Sequence, residues 1–96
     1  MDIKDIEIKY DNSPIHIELC SVRHMNPHFH EKSLEFVYCL KGKVSLFTSF
    51  QKFTIEENQI CSIDSRDIHC LHSDEDNLIL FCHINLSNVS KPFDFL

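Results

Sequence analysis

The sequence predicts an all-β domain, a sandwich or a barrel. Three observations carry this. Apolar residues recur at every second position along most of the chain, turn-like polar clusters fall about every 8–12 residues, and no stretch of useful length has a helical period.

Taken in order, Ile6, Ile8 and Tyr10 alternate with Glu7 and Lys9, which reads as extended chain. In IHIEL, Ile15, Ile17 and Leu19 form the apolar face, so His16 is expected in solvent. SLEFVYCL is apolar on both faces, as in a strand covered on each side. KVSLFTSF, QKFTI, QICSI, IHCLH and NLILFCHINL follow as short β-branched or aromatic-rich pieces. Between them lie DNSP, EKS, KGK, EEN, DSRD and SDEDN, which supply turns. Gly42 is the only glycine, so Asn and Asp in DNS, EEN and EDN are expected to take left-handed turn positions. The tail SNVSKPFDFL breaks the pattern at Pro92.

The 96 residues make one domain with a modest core, 43% of them hydrophobic. The division expected is an N-terminal arm over 1–13, a barrel over 15–86, and the start of a linker over 87–96. The longest apolar run, LILFC, is strand-sized, and the acidic, interrupted N-terminus does not read as a signal peptide. A cytoplasmic location without membrane contact follows. Five cysteines with no CxxC spacing read as reduced, small core residues. A net charge of -6, with Lys and Arg scattered, argues against this chain gripping DNA by itself.

One segment gathers chemistry. PHFHEKSLEFVYCLKG places His28, His30 and Glu35 ahead of Gly42. Two residues apart on one strand, His28 and His30 share a face, about 7 Å from each other. Glu35 has the wrong parity for that face on a continuous strand. A hairpin turning at Glu31–Lys32–Ser33 would bring it to the same side, followed by Val37 and Cys39. His69 ends a second polar segment, NQICSIDSRDIH. Three imidazoles and one carboxylate aimed into a barrel would suit a divalent first-row transition metal or a small polar ligand. The plainer alternative is a polar cluster satisfied by its own hydrogen bonds at the barrel mouth. His83 shares its strand face with Ile79 and Phe81 and lines either core or lumen. Phe36, Tyr38 and Leu40 oppose the Glu35 face and need a further cover, which a dimer partner or helices beyond the chain would supply.

HxH, four residues, Glu, six residues, Gly resembles the first motif of the cupin superfamily, and Asn58 to His69 resembles its second. More narrowly, Pro27, His28, His30, Glu35, Tyr38, Leu40 and Gly42, then Asn58, Gln59, Ile60, Ile63, Ser65 and His69, resemble the sensory domain of AraC-type transcriptional regulators. Asn58 stands for the second-motif glycine and Ser65 for its proline. The resemblance runs from about Ile15 to Leu86. It implies a cupin jelly roll (a double-stranded β-helix barrel) with little or no helix, acting as the effector-sensing part of a regulator. His28, His30, Glu35, Val37, His69 and Leu71 would bind a small polar effector such as a sugar. His28, His30, Glu35 and His69 would be the ligands if a metal is held, as in cupin enzymes. A homodimer is expected, with DNA bound only through a C-terminal helix-turn-helix domain beyond Leu96. No serine triad, phosphate-cradling loop or paired acids are present, so the expectation is not an enzyme. The runner-up is a stand-alone metal-dependent cupin of the isomerase or dioxygenase class.

Overall fold

A computed structural model describes residues 3–89. The strands are β1 (Lys4–Asp5), β2 (Ile15–Cys20), β3 (His24–Phe29), β4 (Ser33–Lys41), β5 (Lys43–Thr48), β6 (Lys52–Glu56), β7 (Ile60–Ile63), β8 (His69–His72) and β9 (Leu78–Asn85). One helical turn, α1 (Leu86–Val89), follows β9. They build two sheets, ordered β1-β3-β8-β5-β6 and β2-β9-β4-β7. Among the described residues only the β1–β3 pair is parallel. This is the all-β architecture that the alternating pattern and the turn spacing predicted, in the jelly-roll form that the resemblance implied. Of the linker expected over 87–96, the part beyond Val89 lies outside the described residues.

The two sheets face each other over Val37, Cys39, Val44, Leu46, Ile55, Ile63, Leu71, Ile79 and Phe81, with Val22 closing one end. These are the inward positions of period-two strands, as the pleat requires. Leu46 and Leu71 are fully buried, and truncating either to alanine costs about 2–5 kcal/mol.

Several turns show why one glycine suffices. Asp11, Asn12 and Asn58 have φ of 50°, 68° and 66°, so two of the three expected clusters take the left-handed region with Asn or Asp. Asn77, in EDN, is not among the positive-φ residues; instead its buried amide brackets Val22, accepting from its N–H and donating to its carbonyl. Arg66, at φ 72°, takes the position in the DSRD turn. Gly42, at φ 76°, joins β4 to β5, and a Cβ there would meet the Asp76 carbonyl oxygen and Asn77.

Three expectations need correction. The segment His28–Glu35 is not a hairpin, because β3 pairs with β1 and β8 while β4 pairs with β7 and β9. The turn at Glu31–Lys32 carries the chain from one sheet to the other. Residues 6–10 form no strand; only Lys4–Asp5 pairs, and Ile6 is tied by its N–H to the Phe29 carbonyl. On β2 the apolar face points outward: Ile15, Ile17 and Leu19 are 46%, 61% and 54% exposed, while His16 is half-buried. The neighbouring outward positions on β9 and β4 are also apolar, so β2 completes an apolar outer face.

Candidate functional site: a histidine–carboxylate cluster between the sheets

Each sheet contributes one cross-strand pair to the cluster. His28 opposes His69 between β3 and β8, and Glu35 opposes His83 between β4 and β9. His30 follows β3, held by its carbonyl, which accepts from the Arg66 and Ser33 N–H groups, and by its ring. All five side chains are buried, with Glu35 2% and His69 1% exposed. Pro27 is accommodated in β3 where the register shifts between Met25 and His28, a position that lacks the ladder bond proline cannot make.

Three backbone carbonyls orient three of the rings. Nδ1–H of His28 donates to Asn26 at 2.8 Å, that of His30 to Ile6 at 2.6 Å, and that of His69 to Asp67 at 2.9 Å. A carbonyl only accepts, so each Nδ1 carries a proton and each Nε2 is left to face the interior. One nitrogen from each of these rings lies within 4.8 Å of the others. The ring centroids are 4.3 Å (His28–His69), 4.9 Å (His28–His30) and 5.4 Å (His30–His69) apart.

Glu35 faces this set. Its Oε1 lies 2.6 Å from His83 Nε2 and 3.1 Å from His30 Nε2, while Oε2 stands 3.5 Å from His69 Nε2. At that last separation neither Glu35 Oε2 nor His69 Nε2 is satisfied, and His83 Nδ1 is likewise unpartnered among the described residues. Burial opposes ionisation of Glu35, but its interactions with His30, His69 and His83 outweigh that and hold its pKa far below the ordinary carboxylate range. Burial also opposes charge on His30, yet the Glu35 hydrogen bond and the Ile6 carbonyl raise its pKa. Burial lowers that of His28, with His69 and His30 adding to the effect.

The donor set therefore fits a cation. Buried imidazole nitrogens converge beside a carboxylate with an orphaned oxygen. Those of His28 and His69 have lone pairs to offer, as has that of His30 once a cation displaces its proton, and imidazole with carboxylate suits zinc, nickel, iron or copper. Backbone carbonyls fixing the tautomers are the support that metal-binding imidazoles ordinarily have.

Of the sequence-predicted residues, His28, His30, Glu35 and His69 come together. Val37 and Leu71 each sit one alternate position past Glu35 or His69 and are fully buried in the hydrophobic cluster rather than among the histidines. One cavity, of about 460 Å³, is lined by His28 with Ile6 and Met25. Another, of about 550 Å³, lies beside His30, between the arm (Asp5 to Tyr10) and the turn His30–Ser33. Its lining is largely polar, and Tyr10 and Ser33 share a 2.5 Å hydrogen bond across it. His83 joined the cluster unforeseen as a partner of Glu35; its shared face with Phe81 and Ile79 was the signal. His16, expected in solvent, stacks on His83 at 5.9 Å with rings 29° apart.

A model of the AraC-like ligand-binding domain matches residues 14–88. The chain belongs to that family. No curated protein matches it in sequence. Among solved structures, a cupin protein from Bacteroides fragilis superposes with a TM-score of 0.72 at 13% identity, covering 83% of this chain and 73% of that one. A cupin-2 domain protein from Shewanella frigidimarina gives 0.70 at 16% identity, over 75% and 72%. A protein from Thermotoga maritima, described as a predicted oxalate decarboxylase, gives 0.67 at 21% identity, over 73% and 65%. At these identities the likeness concerns fold alone, and it establishes the AraC-like domain as a cupin jelly roll. Among the described residues, no helix of this domain is long and apolar enough to cross a membrane.

Proposed function

We propose that this AraC-like domain is the effector-sensing part of a cytoplasmic transcription factor, and that His28, His30, Glu35 and His69 are its recognition set. The observation behind this reading is the convergence of inward-facing imidazole nitrogens on a buried carboxylate, next to a polar cavity. Such a set calls for a ligand that brings positive charge or hydrogen-bond donors. The cavity suits a small polar effector, a sugar or another polyol, entering between arm and turn. A first-row divalent cation at His28, His30, His69 and Glu35 would supply Lewis-acid binding to an oxygen of that effector. Ligand occupancy reaches the arm through His30, whose Nδ1–H holds the Ile6 carbonyl. A ligand that binds one arm arrangement better than another shifts the equilibrium between them, which is all that sensing requires.

DNA would be bound by a domain outside this chain. The outer face of the β2-β9-β4-β7 sheet supports a homodimer. Ile15, Ile17, Leu19, Leu34, Phe36, Tyr38, Ile60, Leu80 and Ile84 occupy outward positions there, with no charged residue among them. The regulatory reading takes precedence over a catalytic one because the matching family is a ligand-binding domain. A stand-alone metal-dependent cupin of the isomerase or dioxygenase class is the second reading, favoured by the fit of the donor set to a metal.

The test is DNA binding by the full-length protein with and without candidate polyols and divalent ions. Ligand-dependent affinity that His30→Ala abolishes supports the sensor. Turnover of a substrate by the metal-loaded domain would support the enzyme instead.

A further inference from the structure

We propose that His83, which lies outside both sequence motifs, is a positioning residue for Glu35, fixing the carboxylate so that Oε2 alone is offered to a cation held by His28, His30 and His69. This rests on the cation reading of the recognition set.

The four buried imidazoles are of two kinds. His28, His30 and His69 each give Nδ1–H to a backbone carbonyl and turn Nε2 inward. His83 does the reverse. Its Nε2 lies 2.6 Å from Glu35 Oε1, and a carboxylate only accepts, so the proton is on Nε2. Its Nδ1 meets no partner among the described residues. Among the described residues Glu35 is therefore the one hydrogen-bond partner orienting this ring, while His16 covers its face.

The consequence falls on the carboxylate. Oε1 is occupied by His83 and His30, whereas Oε2 is buried without a partner and directed toward His69. Without His83, Glu35 can rotate about its last torsion, which is soft, and the carboxylate loses its fixed orientation. With His83 in place, Oε1 is held between His83 and His30 and Oε2 is held on the side of His69. Glu35 and His83 stand opposite each other on the central strands β4 and β9, so the arrangement is built on the rigid part of the sheet.

The experiment is calorimetric titration of the domain with zinc and, separately, nickel. Wild-type protein is compared with His83→Leu, which keeps bulk but donates nothing, and His83→Gln, whose amide can donate from nearly the same place. The proposal expects a loss of about 10–100-fold in affinity for His83→Leu and substantial recovery for His83→Gln, the size usual for supports of metal ligands. Nitrogen NMR of wild-type protein carries the question if His83→Leu does not fold. The zinc-bound form should keep its His83 proton on Nε2. Equal affinity in wild type and His83→Leu, or a zinc-bound His83 that has lost that proton and ligates through Nε2, overturns the role given to His83. A folded wild type that binds neither ion overturns the cation reading itself, and the proposal with it.

Discussion

Glu35 on β4 and His83 on β9 are cross-strand partners that meet between the sheets, Nε2 to Oε1, at 2.6 Å. In a period-two strand an inward side chain ordinarily packs on apolar neighbours, as Val37 and Phe81 do one step along. A charge at such a position persists only if its partners offset the loss of water, and here the imidazoles do so. Glu35→Gln keeps the shape and removes the charge that His30 and His83 are arranged around. The expected loss is about 3 kcal/mol of unfolding free energy in a urea titration of the metal-free protein.

The same groups set the pH response of the metal-free fold. The Glu35 pKa is depressed, so its contribution is present above its ordinary value of 4.5 and is lost as the pH falls toward its lower folded value. That of His30 is raised, so its contribution is full below 6.5 and is lost as the pH rises through the folded value. His28, lowered from 6.5, makes stability decline as the pH drops below that point. Urea midpoints measured against pH should therefore peak near 6.5. Glu35→Gln should flatten the acid limb and weaken the alkaline one.

Backbone strain separates two turns. Gly42→Ala puts a Cβ against the Asp76 carbonyl in a left-handed conformation and should cost about 2–4 kcal/mol. Asn58→Gly, at φ 66°, should change the thermal midpoint little, whereas Asn58→Val should lower it clearly.

The outer apolar face yields a solution measurement. Ile17 and Ile60 are 61% and 62% exposed, so a charge at either leaves the core intact. Light scattering on the domain should give a dimer for the wild type and a monomer for Ile17→Glu with Ile60→Glu. A wild type that stays monomeric at high concentration contradicts the homodimer.

Much of the fold was legible in the residues themselves. Alternation in IHCLH and NLILFCHINL located β8 and β9, and the turn clusters separated most of the strands correctly. Parity along one strand nonetheless leaves two questions open: which face is inward, and which strand lies opposite. The first misplaced β2, where the apolar side of IHIEL is the outer one because that whole face of the sheet is apolar. The second hid His83, whose partner Glu35 is 48 residues away and appears only with the β4–β9 register. It also turned a crossing between sheets into an expected hairpin. His28, His30, Glu35 and His69 still converged, because residues entering from opposite sheets meet in the middle as readily as residues from one. Val37 and Leu71 shared that inward parity, but they are packed into the hydrophobic cluster.

The most direct measurement is the thermal midpoint of the domain with divalent transition metals and polyols, for wild type and for a His28→Ala, His30→Ala variant. A ligand at about 100 times its dissociation constant adds about 2.7 kcal/mol, or roughly 10–20 °C for a domain of this size. The account predicts such a shift for at least one ligand in the wild type and none in the folded double variant. A wild type that no ligand stabilises, or a double variant that keeps the full shift, would contradict it.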